Sequence, residues 1–314
     1  MSTEQAAPTE VPAFPVPLLL TVIVIAVSLS AIFIRLADAP GTVIALYRLV
    51  IASALTLPAL PAALRRSRIS ARGIWLSVAA GVTLGWHFAT WTTSLEFTSV
   101  AASVSLVTTT PLWIVLIIWL FRRRRPANRT LLGVLVAVAG GVIIGLDGQF
   151  GAGPGGNAAA FGNFLAVAGA VTVGVNMLLG AAAQRSGLSV MAYSGIAYVV
   201  AGLSLLPLPA LLGQSYGPYP LTVFLWIGAL AVVSQVIGHT AINYTLRFMD
   251  ATLLSTFILL EPVAASLLAM LLFQEVPGLL TVLGALTLLT GVLLVNTGMA
   301  VRQSGGRKKG KIVL

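Results

Sequence analysis

The sequence predicts an all-α membrane protein of ten transmembrane helices, arranged as two inverted five-helix repeats. Three observations predict this class: the composition is strongly apolar, apolar runs of membrane-spanning length recur along the chain, and the second half repeats the first. The 314 residues are 58% hydrophobic and 8% charged, with a mean hydropathy of +1.01. A soluble domain carries about 25% charged residues, so the composition argues against a soluble enzyme.

A bilayer-spanning helix needs about 20 mostly apolar residues, and ten runs satisfy this requirement. These predicted spans, numbered 1 to 10 in chain order, cover 16–37, 41–64, 73–95, 99–121, 130–147, 160–183, 190–212, 220–246, 251–273 and 278–300. The remaining segments are a polar N-terminal tail (1–15), a Gly-rich linker (148–159) and a basic C-terminal tail (301–314). The first repeat is expected to cover 16–147 and the second 160–300.

The basic residues predict how the spans are oriented, because Lys and Arg concentrate in cytoplasmic loops. If the N-terminus is cytoplasmic, 16 of the 18 basic residues fall in the even-numbered links and the C-terminal tail. Both termini are therefore expected in the cytoplasm, and the protein itself in the plasma membrane or bacterial inner membrane. The net charge of +10 then indicates topology and contact with anionic lipid rather than nucleic-acid binding.

An internal repeat appears when the chain is shifted by 151 residues, which gives eleven identical pairs between 95–140 and 246–291. The informative pairs are Pro111/Pro262, Pro126/Pro277, Gly133/Gly284 and Gly140/Gly291. An odd number of helices per repeat predicts that the second repeat enters the membrane from the opposite side. The exchanged charges Glu96/Arg247 and Arg124/Glu275 favour the same inversion. Inverted repeats are typical of secondary transporters, whose binding site lies near the bilayer midplane.

Two matched prolines, Pro111 and Pro262, are predicted to break spans 4 and 9. Proline removes a backbone donor, and the freed groups are tolerated in lipid only where they are buried or line a wet cavity. Matched interruptions therefore point to a transport site, although a packing kink is the alternative. The repeated glycines predict close helix packing, either within one chain or in a homodimer.

Two charged residues lie well inside predicted spans, Arg48 and Glu261. A low-dielectric surrounding favours the neutral form of a carboxyl group, so Glu261 is a candidate for proton coupling or for binding a substrate amine. The alternatives are a structural carboxyl beside Pro262 or an ion pair with Arg48. Arg48 is a candidate for binding a substrate carboxylate, or a static partner of that ion pair, or a side chain that snorkels outward.

Polar and aromatic residues on spans 3 and 8 are further cavity candidates, because these spans are equivalent in the two repeats. They are Trp86, His87 and Trp91 on span 3, His239, Asn243 and Tyr244 on span 8, and Thr110, the repeat counterpart of Glu261. Weaker candidates are Asn176, Tyr193 and Tyr198. For Trp86, helix packing or a membrane-interface belt is the alternative. We expect no metal and no cofactor, because no metal-ligand spacing, phosphate loop or nucleophile elbow occurs in the sequence.

Two segments resemble the EamA branch of the drug/metabolite transporter superfamily. They are His87-Phe88-Ala89-Thr90-Trp91 with Ser94, Thr98, Ser99 and Pro111, and Leu260-Glu261-Pro262-Val263-Ala264 with Glu275, Gly284 and Gly291. The resemblance covers nearly the whole chain as two tandem repeats, and it departs from the family at Arg124, where many repeats carry an acidic residue. It implies a fold like that of YddG-like exporters, with a central cavity lined by spans 3, 4, 8 and 9, and alternating access.

The favoured function is secondary-active export of a small organic metabolite, such as an amino acid or an amphipathic compound, with Glu261 coupling protons. Export is implied by the resemblance alone. A proton-independent facilitator or exchanger is the alternative within transport. A lipid scramblase is the alternative from another class, and it predicts a polar groove open to lipid instead of an enclosed cavity. The expected partners are a small-molecule substrate and the lipid bilayer. A homodimer through the glycines stays an alternative that the sequence does not specifically indicate.

Overall fold

A computed structural model describes residues 15–122, 127–150, 157–245, 249, 254, 257–258 and 260–309, with residues 122, 145–150 and 296–309 described as backbone only. Throughout these residues the regular structure is helical and no strand occurs, which confirms the all-α class. Some predictions lie outside the described residues. They concern the tail 1–14, Arg123 to Arg125, the middle of the linker, Arg247 and the end of the C-terminal tail.

The first half of the chain consists of helices α1 to α7. Their bounds are Val16–Ala37 (α1), Gly41–Thr56 (α2), Leu60–Arg65 (α3), Ala71–Phe97 (α4), Val100–Val107 (α5), Thr110–Arg122 (α6) and Asn128–Phe150 (α7). A 3₁₀ turn with Pro58 joins α2 to α3. The side chains of Ser70 and Ser99 accept hydrogen bonds from the third backbone N–H of α4 and α5, 3.1 Å in each case, which fixes where these helices begin.

The second half contains α8 to α14 and one stretch with wider winding. The bounds are Asn157–Arg185 (α8), Val190–Leu205 (α9), Leu208–Leu211 (α10), Leu221–Ala229 (α11), Thr240–Thr245 (α12), Glu261–Phe273 (α13) and Leu279–Lys309 (α14). A π-helix, Leu230–His239, connects α11 to α12. Such π segments are rare and occur frequently at functional sites.

Six helical segments of the described chain are long and apolar enough to cross a membrane, and three shorter ones are apolar. The six are Val16–Ala37, Gly41–Arg65, Val100–Phe121, Asn157–Arg185, Val190–Leu211 and Leu221–Thr245. Helix α4 has the length of a span, but its polar residues lower its hydropathy. The protein is thus a multi-pass membrane protein, and the number of ten crossings stays a prediction.

Contacts between the links show that the two halves run in opposite senses. At one end of the bundle, the link before α4 meets the link before α9: Arg68 N–H donates to the carbonyl oxygen of Gly187 at 2.9 Å, and Ser189 N–H to Ser67 Oγ at 2.9 Å. At the other end, the start of α2 meets the link before α11, where Tyr47 donates to the carbonyl of Tyr216 at 2.8 Å. Helices α4 and α11 are equivalent in the two repeats, so a parallel repeat would instead place the links before them at the same end of the bundle.

Helices α7 and α14 pack along the repeated glycines, in a contact that we call the glycine seam. A Cβ at Gly133 would lie 2.7 Å from the carbonyl oxygen of Gly291, and one at Gly140 would lie 2.6 Å from that of Gly284. The low-numbered glycine of one helix faces the high-numbered glycine of the other, so the two helices are antiparallel. Of the two sequence-based alternatives, the structure uses these glycines for packing within one chain.

Candidate functional site

A cavity of about 790 Å³, counted with its open mouth, lies between the two halves. This volume includes open solvent at the mouth, and the lining is mostly apolar with a few polar groups, as in small-molecule sites. The lining residues come from α1, α4, α5, α6 and their counterparts in the second half. They are Val27, Ser30, His87, Trp91, Val107, Thr108, Thr110, Pro111, Val173, Asn176, Met177, His239, Ile242, Asn243, Ile258 and Glu261.

Two helices start at the cavity wall, as the matched prolines predict. Helix α5 ends at Val107 and α6 begins at Thr110, while α13 begins at Glu261. The proline follows directly as the second residue of each helix, where its missing N–H costs no helical hydrogen bond. Helix N-termini carry partial positive charge. The Glu261 carboxyl group therefore lies at the favourable end of α13, which also gives this residue a structural role.

Most lining residues of one half can be paired with a lining residue of the other, at separations of 146 residues for α1, 152 for α4 and 151 for α5 and α6. The pairs are Val27/Val173, Ser30/Asn176, His87/His239, Trp91/Asn243, Val107/Ile258, Thr110/Glu261. Two pairs are identical, Val27/Val173 and His87/His239. The other polar pairs differ in size or charge, so the two walls present different chemistry to a ligand.

The histidine rings are held by a backbone hydrogen bond and by ring contacts. His87 donates from Nδ1 to the carbonyl oxygen of Gly169 at 2.9 Å, and its ring stacks on Trp91 with centroids 6.0 Å apart. The rings of His239 and Phe88 meet nearly perpendicularly, with centroids 5.2 Å apart at 82°. The indole N–H of Trp91 is buried and has no hydrogen-bond partner in the described part of the chain.

Both amide side chains at the cavity are anchored by one end. Asn176 donates from Nδ2 to the carbonyl oxygen of Ala80 at 2.9 Å and to the hydroxyl of Tyr193 at 3.3 Å. Asn243 donates from Nδ2 to Ser194 Oγ at 3.1 Å. These contacts orient the amides and leave their carbonyl oxygens as acceptors for a ligand.

Six of the sequence candidates are not among the lining residues, and two of them, Tyr193 and Tyr198, are buried in apolar clusters. Trp86 is 45% exposed on the outer face of α4, the placement expected for an interfacial or packing residue. Tyr244 packs beside the apolar cluster of α1 and α12. Pro262 is buried directly behind Glu261. Arg48 is fully buried on α2, and in the described chain it forms no ion pair with Glu261.

Several lining residues were missed because the sequence argument concentrated on spans 3, 4, 8 and 9. Ser30, Thr108, Val173 and Met177 lie at the cavity and were not predicted. The pair Ser30/Asn176 is a signal that could have found them, but its separation differs from the 151-residue shift of the later spans. Among the described residues, no group of three His, Cys, Asp or Glu side chains could hold a metal ion.

The family comparison matches both halves. The chain belongs to the EamA-like transporter family, whose model matches residues 15–146 and 160–297. This confirms the family expected from the sequence, its two-repeat architecture and its place among membrane transporters.

A solved crystal structure titled only as that of a protein has the same fold. It matches with a TM-score of 0.63 and 20% sequence identity, over 91% of this chain and 97% of the other. At this identity the likeness shows the fold alone. No curated protein matches the chain.

Proposed function

We propose that the protein is a secondary-active exporter of a small organic metabolite, of the amino acid or amphipathic type, working by alternating access across ten helices. The single observation that carries this proposal is the cavity between two oppositely oriented repeats. It adjoins the start of two broken helices, a feature of transporter binding sites. The outward direction and the YddG-like subtype rest on the resemblance seen in the sequence.

The lining supports an amphipathic guest. Apolar side chains such as Val27, Val107 and Met177 alternate with the donors and acceptors of Trp91, Asn176 and Asn243. The aromatic or aliphatic part of a solute can pack on the apolar side chains, and its few polar groups can form hydrogen bonds with the polar ones. A screen of amino acids and amphipathic amines by thermal stabilisation in detergent tests this, because a ligand that binds the folded state raises the melting temperature.

Proton coupling is assigned to Glu261, the one acidic residue among those lining the cavity. A carboxyl group that faces both substrate and water can release its proton in one state of the cycle and regain it in the other. Replacing it by Gln keeps the shape and removes the titration. We expect Glu261→Gln proteoliposomes to lose pH-gradient-driven flux of the best solute from the thermal screen.

The matched control is Thr110→Val at the repeat-equivalent position, which removes a hydroxyl and leaves the carboxyl group in place. This variant should keep the dependence on the pH gradient. Unchanged gradient dependence in Glu261→Gln would instead support the proton-independent facilitator. Lipid flip-flop without solute flux would support the scramblase.

The proposed orientation places both termini in the cytoplasm. Because the chain contains no cysteine, single cysteines can be introduced without background. Asn128→Cys and Pro277→Cys should react with an impermeant maleimide from opposite sides of the membrane, with Asn128→Cys on the cytoplasmic side. Labelling of both from one side would contradict the inverted arrangement.

A further inference from the structure

The guanidinium group of Arg48 lies outside the cavity lining, in a pocket between α2, α4 and the π-helix. Its Nε donates to Gln235 Oε1 at 2.9 Å, and its Cζ lies 3.8 Å from the centroid of the Phe88 ring. All three side chains are fully buried. The arrangement therefore fixes one edge and one face of the guanidinium plane.

The other edge of the guanidinium lacks a partner. In the described chain, Nη1 and Nη2 of Arg48 and Nε2 of Gln235 have no hydrogen-bond partner, and Arg48 has no ion pair. A buried charge without a counter-charge is costly, and unsatisfied donors on a charged group add to that cost. A ligand that binds these donors from outside the chain would remove this cost.

The chemistry of the three atoms defines that partner. Each is an N–H donor, and neither a guanidinium nor an amide nitrogen can accept a hydrogen bond. The missing group is therefore an acceptor. Glu261 acts on the positive charge of Arg48 only from beyond ion-pair distance, so the charge favours an anion over water as that acceptor. A planar fork of two Nη groups matches the two oxygens of a carboxylate.

The guanidinium of Arg48 lies close to the cavity lining. The Phe88 ring that it contacts also contacts His87 and His239, whose ring centroids lie 4.7 Å and 5.2 Å from the centroid of Phe88. Both histidines line the cavity. An anion in the cavity would therefore need a shift of these rings to reach Arg48.

From this geometry we infer that Arg48 and Gln235 form a binding site for a small anion, either a halide or a carboxylate, behind Phe88. The free inorganic anion and the carboxyl group of a transported solute are the two sources of this chemistry. The first source is independent of the proposed transport. The second rests on it.

Wild-type protein in detergent tests the site at constant ionic strength, with chloride or acetate replacing the bulky anion 2-(N-morpholino)ethanesulfonate. We expect a saturable rise in melting temperature of about 2–4 °C, as for a ligand that adds roughly 1 kcal/mol. A response to chloride and acetate alike identifies a free-anion site. A response to acetate alone identifies a carboxylate site for cargo. A melting temperature independent of anion identity overturns the inference.

A substitution can supply the missing anion from within. Gln235→Glu places a carboxylate beside Arg48, so the variant should melt at or above the wild-type temperature without added anion and lose the anion response. The control, Gln184→Glu, makes the same change near the end of α8 and should keep the response. A wild-type response retained in Gln235→Glu overturns the assignment to Arg48.

Anomalous diffraction from crystals of wild-type protein soaked in bromide gives a second readout that needs no variant. A bromide peak within hydrogen-bond distance of the Arg48 Nη atoms supports the site. Bromide elsewhere, with none beside Arg48, contradicts it. Neither readout requires transport, so failure of the anion site is distinguishable from failure of the proposed export.

Discussion

The glycine seam and the cavity are two places where equivalent parts of the repeats meet, and they are built in opposite ways. At the seam, α7 and α14 present the same residues to each other, with Gly133 facing Gly291 and Gly140 facing Gly284. At the cavity, Trp91 faces a space shared with Asn243, and Thr110 one shared with Glu261. The glycines of the seam are identical in both halves, whereas at the cavity identical pairs such as His87/His239 lie beside pairs that differ.

Physical demands explain this difference. Two backbones that approach within contact distance leave no room for a side chain on either helix, so both repeats keep glycine. The proposed asymmetric solute would use a donor on one wall and an acceptor or charge on the other. In this chain the identical glycines therefore mark helix packing, and the pairs Trp91/Asn243 and Thr110/Glu261 give the cavity its asymmetry.

The largest expected effect comes from disturbing the seam. Gly140→Ala would place a Cβ 2.6 Å from the carbonyl oxygen of Gly284, which the backbone can relieve only by separating the helices. Overpacking of this kind costs about 1–3 kcal/mol, seen as a lower melting temperature and yield. The neighbouring control, Gly141→Ala, meets only Leu106 at 3.7 Å and should stabilise by up to about 1 kcal/mol through helix propensity. Equal changes in melting temperature for Gly140→Ala and Gly141→Ala would contradict close packing of α7 and α14 along these glycines.

The second-largest effect is expected from a substitution that gives both walls of the cavity the same residue, as the seam has. Asn243→Trp gives both walls an indole at the equivalent position and fills part of the 790 Å³ space. We expect solute flux to fall by about tenfold or more, since each 1.4 kcal/mol of lost binding is tenfold. The melting temperature without solute should fall modestly, because the hydrogen bond from Asn243 to the buried Ser194 is lost. Full flux in this variant would show that the guest binds elsewhere.

The smallest effect is expected at an ion pair between the halves, away from both regions. Arg35 lies 3.4 Å from Glu275 and both are partly exposed, and such pairs contribute about 0–1 kcal/mol. Glu275→Gln keeps the acceptor for the Val100 N–H and removes only the charge. The melting temperature should fall slightly at low salt and be unchanged at high salt. A large, salt-insensitive loss would assign Glu275 a different role.

The sequence predicted the helical class, the repeat and most of the polar cavity residues, because each leaves a periodic or repeated signal. Pro111 and Pro262 located the helix starts, and His87 and His239 followed from their repeat relation. Ser30 and Met177 were not predictable in this way, since a small or apolar residue on an apolar span has no distinctive pattern. The pocket around Arg48 depends on Gln235 and Phe88, whose approach arises from tertiary packing alone.

The wide winding between Leu230 and His239 has a consequence for the direction of the side chains that follow it. The direction of a side chain on a helix depends on the number of residues per turn in the segment before it. The directions of the His239 and Asn243 side chains therefore depend on the π-helix Leu230–His239. If the same residues tightened to ordinary α-helical pitch, both side chains would swing around the axis. The cavity would then be lined on that side by other residues of the same segment, without any change in sequence.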